Sequence, residues 1–193
     1  MKRAIVKLES ISNYSQSRHY DKISVPPLKD ELDKDYEART WRNRLHVDKD
    51  GFVFIPPMAW KNCLSEAARY KSEKIPGKNR QTYTKHFEAG ILAVDPLRLP
   101  MKKEDVPGEW LFVPSDGKRG GGSRVDKCFP LIAEWQGTVT YFVLDDIIGE
   151  QVFEKHLEDA GNFIGIGRFR PSHNGFYGRF RIKDLKWEKD GKA

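Results

Sequence analysis

A chain of 193 residues, 38% apolar and with eleven Phe, five Trp and seven Tyr, is long enough to bury a core and too aromatic to be disordered. Its formal net charge of +6 favours a polyanionic partner, and the excess is local: residues 60–86 carry seven Lys or Arg against two acids, and residues 161–193 eight against three. Two cysteines, Cys63 and Cys128, argue against a disulfide framework or a zinc site, and no run approaches the ~20 apolar residues that span a bilayer, so neither secretion nor a membrane anchor is expected and the reducing cytoplasm is the expected location.

Residues 3–12, with Ala4, Val6 and Leu8 alternating, predict an opening strand. Residues 13–50 hold many charges and little apolar material and read as an excursion from the core; within it Arg39, Trp41, Arg42, Arg44 and His46 form a cluster of cations and aromatics. A turn at 48–51 and a short buried run at 52–55 lead to Pro56 and Pro57, which stop the run and suit the first turn of a helix. In that helix Trp60, Leu64, Ala67 and Ala68 recur on the core face, leaving Lys61, Ser65 and Arg69 on another. Residues 75–80 end it in a basic turn carrying Lys78 and Arg80.

A strand is expected over 87–97, then a second insertion over 100–127 whose centre holds Lys118, Arg119 and Arg124 among glycines, as a basic loop or hairpin tip. The β-branched and aromatic run at 134–144 predicts another strand. Asp145 and Asp146 offer a cap to a helix with Ile148, Val152, Phe153, Leu157 and Ala160 on its apolar side, ending at Gly161. A last strand is expected over 176–187. Without its insertions the order is strand, helix, strand, strand, helix, strand, which predicts an α+β, ferredoxin-like βαββαβ core within one domain over 1–193.

Between the second helix and the last strand, residues 161–181 pack five glycines and four arginines among aromatics. Glycine lets a backbone approach closely, and arginine and aromatic side chains supply charge-assisted contacts and stacking, the equipment for gripping a phosphodiester chain. The candidate nucleic-acid contacts are Lys61, Arg69, Lys78 and Arg80 around the first helix, Lys118, Arg119 and Arg124 in the basic insertion, and Arg168, Arg170 and Arg179 in the glycine-rich loop of Gly165, Gly167, Gly175 and Gly178, with Trp41, Phe176 and Tyr177 to stack. The glycine run around Lys118 lacks the ordered phosphate-loop pattern, which excludes nucleoside triphosphate hydrolysis. No histidine stands at metal-ligand spacing, and nothing calls for a metal or cofactor; His19, His46 and His173 are the candidates for acid–base work on RNA.

Ile55, Pro56 and Lys61 before and within the first helix, with the glycine loop from Gly165 to Gly178 after the second, resemble the RAMP superfamily of CRISPR-associated proteins. Pro57 and Asn62 stand where that pattern has glycines. The texture is also similar to that of phage and mobile-element proteins. The resemblance implies a non-catalytic protein that binds single-stranded nucleic acid, RNA favoured over DNA, as a subunit of a ribonucleoprotein or as a homo-oligomer along the strand. Two alternatives stay open: a RAMP-like metal-independent endoribonuclease, and a phage protein that binds single-stranded DNA or inhibits a CRISPR complex by mimicry.

Overall fold

The computed structural model describes residues 1–193 except 22, 116, 118–121 and 190–193. In chain order it contains β1 (Lys2–Ser10), α1 (Asp33–Thr40) running into a 3-10 turn at Trp41–Arg44, β2 (Phe52–Ile55), α2 (Pro57–Lys71), α3 (Thr84–Gly90), β3 (Ile91–Ala93) and β4 (Leu97–Lys102). There follow β5 (Gly108–Pro114), β6 (Arg124–Pro130), β7 (Gln136–Val143), α4 (Glu150–Asp159) extended by a wider π-type turn at Ala160–Ile164, and β8 (Phe180–Lys189).

Among the described residues the strands form a four-stranded antiparallel sheet in the order β3–β7–β1–β8 and two ribbons, β2–β4 and β5–β6. The sheet with α2 and α4 is the ferredoxin-like βαββαβ frame expected from the sequence. The alternation of β1 explains its central place. Ala4, Val6 and Leu8 turn to the buried face opposite Tyr141, Val139 and Gly137, while Arg3 and Lys7 turn to the other. Trp60, Leu64 and Ala67 of α2 and Phe153 and Leu157 of α4 are buried in the same core. Trp60, with no exposed surface, meets Trp135 and Phe180 edge-on at 5.4 and 5.5 Å.

Several expectations need correction. Residues 87–97 do not form one strand: α3 carries Phe87 into the core and ends at Gly90, and only Ile91–Ala93 pair with β7. Gly90 is there because an added Cβ would lie 2.6 Å from the Cβ of Asp145. The second helix does not stop at Gly161, whose Cβ position is 2.1 Å from the carbonyl oxygen of Phe180; the chain runs on to Gly165, where φ is +73°. Gly149 occupies the N-cap of α4, not Asp145 or Asp146. Asp145 accepts the N–H of Ile147 (3.0 Å) and faces His86 Nδ1 (2.6 Å), while Asp146 pairs with Lys2 (3.2 Å). The insertion expected over 100–127 agrees with the structure: it contains the antiparallel ribbon β5–β6, paired from Gly108–Pro130 to Pro114–Arg124.

The segments between β1 and α2 and between β3 and β7 meet at the base of the β5–β6 ribbon. Glu37 of α1, with its side chain 1% exposed, binds Arg44 through both carboxylate oxygens (2.6 and 3.1 Å), Lys127 (3.1 Å) and the N–H of Cys128 (2.9 Å). A buried carboxylate is tolerated because every acceptor it carries is engaged.

Candidate nucleic-acid interface

Proline at the first helical position fixes where α2 begins, and the helical period then turns Lys61, Asn62, Glu66, Arg69 and Tyr70 away from the buried stripe. The glycine loop is held against the chain that follows β1. Gly178 donates to the carbonyl of Asn13 (2.6 Å), Arg168 to that of Ser15 (2.9 Å) and Ile166 to that of Gly178 (3.0 Å). Positive φ at Gly165, Gly167 and Gly178 lets the backbone cross itself at these distances. The loop is therefore a fixed mount that sends its arginines in different directions.

Arg170 reaches α2 and pairs with Glu66 (3.1 Å), while its Nε donates to His173 Nδ1 (3.0 Å). Lys61, Arg69, Glu66, Glu88 and Arg170 line one cleft of about 510 Å³. This cleft shares Glu66 and Arg69 with a second, of about 600 Å³, lined also by Tyr70, Asn162, Phe163, Ser172 and Arg179. Arg179 sits there on the carbonyl of Asn162 (2.8 Å), and Arg69 pairs with Glu88. The two clefts together carry four cations, Lys61, Arg69, Arg170 and Arg179, against the carboxylates of Glu66 and Glu88.

Arg168 turns the other way, between the rings of Phe129 (3.1 Å) and Phe169 (3.8 Å). Burial, with Arg44 close by, lowers its pKa to about 10, and its Nη1 has no hydrogen-bond partner among the described residues. It lines a smaller cleft of about 320 Å³ with His46, Gln16, Ser17 and Gly167, at the start of α2. Ser17 joins this cleft to another, lined by Arg18, His19, Tyr20 and Arg44. Burial, then Arg18, holds His46 below the usual imidazole range. A further cavity, of about 650 Å³, is lined by Glu9, Glu134, Trp135 and Arg181 and has one cation against two carboxylates, the wrong balance for a polyanion.

Of the residues singled out in the sequence, Lys61, Arg69, Arg170 and Arg179 come together, and Arg168 stands on the other side of the loop. Lys78 and Arg80 lie in the turn past the far end of α2 and line none of these clefts. Arg124 begins β6 and donates to the carbonyl of Phe112 (3.2 Å); Lys118 and Arg119 lie outside the described residues. Trp41 is 5% exposed, packed under Gly108 and covered by Arg42 at 4.2 Å, so it has no open face for a base. Tyr177 is also buried, its hydroxyl on Glu109 (2.8 Å), while Phe176 is exposed beside it. His19 and His46 line adjoining clefts, and His173 lies apart with Arg170 and Ser172. Among the described residues no three His, Cys, Asp or Glu side chains are grouped to hold a metal, and no helix is long and apolar enough to cross a membrane.

Tyr70 and Phe163 were missed. Their rings stack at 5.9 Å and 27° on the wall of the second cleft. Tyr70 was discoverable as an exposed aromatic one turn beyond Glu66 on the polar face of α2; Phe163 was not, because the wider turn that presents it leaves no periodic signal.

No family model and no curated protein matches the chain. Among solved structures, a chain of the Type III-B Cmr-beta complex bound to cognate target RNA superposes with a TM-score of 0.56 at 11% identity, covering 98% of this chain and 61% of that one. This chain thus spans about three-fifths of the length of that relative. A chain of a CRISPR RNA-guided surveillance complex superposes over 98% of this chain and 71% of its own, with a TM-score of 0.38 at 7% identity, too loosely to build on. The protein shares the fold of that chain of the Type III-B Cmr-beta complex.

Proposed function

We propose that the chain is a RAMP-like, non-catalytic protein that binds single-stranded nucleic acid, RNA above DNA, as a subunit of a ribonucleoprotein or as copies aligned along the strand. One observation carries this: the glycine loop delivers Arg170 to the face of α2 that bears Lys61 and Arg69, making a cleft with a surplus of cations on a ferredoxin-like frame. Lys61 has no ion pair among the described residues and needs none broken to meet a phosphate. The kinship in fold with a chain of an RNA-bound complex points the same way. Phosphates supply affinity through released counterions, so binding weakens steeply with salt. The test is the 260-to-280 nm absorbance ratio of the purified protein, with nuclease typing of what co-purifies. Co-purifying material digested by ribonuclease supports the proposal; protein free of nucleic acid that shifts neither RNA nor single-stranded DNA at low salt refutes it.

A second reading, a metal-independent endoribonuclease, is favoured by one feature. Burial, then Arg18, shifts His46 toward the neutral form that a general base uses, and His46 lines a cleft that adjoins that of His19. It requires cleavage of RNA with DNA spared, lost in His46→Ala with binding kept.

A further inference from the structure

The cleft that adjoins the cationic one is built differently. Its wall carries Tyr70, 64% exposed, and Phe163, 45% exposed, stacked on each other, with Lys71 Nζ 5.0 Å from the centre of the Phe163 ring. Polar groups ring it: Arg179 beside the carbonyl of Asn162, Ser172 from a 3-10 turn at Pro171–His173 in the glycine loop, and Glu66 and Arg69 on the border with the cationic cleft. Phe163 stands in the wider turn at Ala160–Ile164, an irregularity frequent at functional sites.

Resting on the function proposed above, we infer that this cleft receives a nucleobase of the bound strand while the neighbouring phosphate lies in the cleft of Lys61 and Arg170. A nucleotide presents a charged group and, within one sugar's reach, a flat π-surface edged with donors and acceptors. The two adjoining clefts present the complement in that order: cations in one, an aromatic shelf with polar groups in the other, joined at Glu66 and Arg69. A free phosphate would need only the first cleft. Stacking is tolerant of sequence, and Glu66 and Arg69 at the rim would bias the choice through the base edge.

The test is fluorescence anisotropy with the full chain, using a labelled single-stranded RNA and an abasic strand of the same length and phosphate count. Tyr70→Ala, at an exposed position, should bind the intact strand between about fivefold and a hundredfold more weakly than the unaltered protein, and Tyr70→Phe should restore binding. On the abasic strand Tyr70→Ala and the unaltered protein should be equal. Equal binding of the intact strand by the unaltered protein, Tyr70→Ala and Phe163→Ala, with Lys61→Ala weaker on both strands, would overturn the base cleft and leave the phosphate cleft standing. An acidic peptide, but neither strand, binding at low salt would overturn both.

Discussion

Replacing Gly178 with alanine should cost far more stability than the same change at Gly77. Both residues have φ of +74°. At Gly77 an added Cβ meets nothing within 4 Å, so the cost is the left-handed backbone penalty alone, about 1–2 kcal/mol. At Gly178 the Cβ would lie 1.8 Å from the carbonyl oxygen of Ile166 and 2.8 Å from its carbonyl carbon and nitrogen, all backbone atoms. Relief requires the two strands of the loop to separate. That loosens the bonds from Ile166 N–H to Gly178 O (3.0 Å) and from Gly178 N–H to Asn13 O (2.6 Å). At about 1 kcal/mol each, these raise the total to about 3–4 kcal/mol. For a chain of this size the expected fall in Tm is roughly 10 °C for Gly178→Ala and roughly 4 °C for Gly77→Ala. Thermal and urea unfolding followed by tryptophan fluorescence reads both. Equal losses at the two sites would refute the loop as a fixed mount for its arginines.

Other consequences follow from the buried groups and the cationic cleft. Glu37→Ala leaves Arg44 without its bidentate partner and frees the Cys128 N–H, so urea unfolding should show a loss on the order of 3–5 kcal/mol. If four phosphates meet Lys61, Arg69, Arg170 and Arg179, the log–log slope of RNA affinity against salt should be about −3, and Lys61→Ala with Arg170→Ala should make it shallower by about 1.4. His156, its Nδ1 donating to Val152 O (2.7 Å) and its Nε2 without a hydrogen-bond partner among the described residues, is held by burial below the usual imidazole range. The unfolded chain therefore takes the proton first as pH falls through about 6.5, and stability should drop by up to about 1.4 kcal/mol per pH unit. His156→Leu should flatten that slope in urea titrations between pH 7.5 and 5, His46 contributing a remainder of the same sign. Labelled RNA incubated with the protein should stay intact on denaturing gels, and a ladder that vanishes with His46→Ala would make the protein a nuclease.

The sheet and its two covering helices were legible because their signals are local. Ala4, Val6 and Leu8 keep a period of two, and Trp60, Leu64 and Ala67 a helical one, and each is buried where that period puts it. What was illegible depends on distant partners. α1 has no apolar stripe; Tyr36, Glu37 and Thr40 are its buried residues, and Glu37 is explained only by Arg44, Lys127 and the backbone of Cys128. Phe87 reads as part of a strand until His156 is seen stacked on it at 4.4 Å, which fixes it in a short helix.

For the site, the arginines of the glycine loop were plain in composition, but their directions were not. Arg168 and Arg170 are two residues apart, yet one lies between Phe129 and Phe169 and the other on Glu66. Trp41 shows the converse error. Its neighbours Arg39, Arg42 and Arg44 suggest a nucleic-acid contact, whereas Arg39 and Arg44 pair with Glu31 and Glu37 and Arg42 covers the indole.

The most direct measurement is anisotropy of a labelled single-stranded RNA titrated at low salt with nucleic-acid-free protein, for the unaltered chain and for Lys61→Glu with Arg170→Glu. Saturable binding that weakens steeply with salt, and is lost in a charge-reversed variant that still unfolds cooperatively, is the predicted result. RNA bound equally by both proteins, or by neither, would contradict the cleft between α2 and the glycine loop as the nucleic-acid interface.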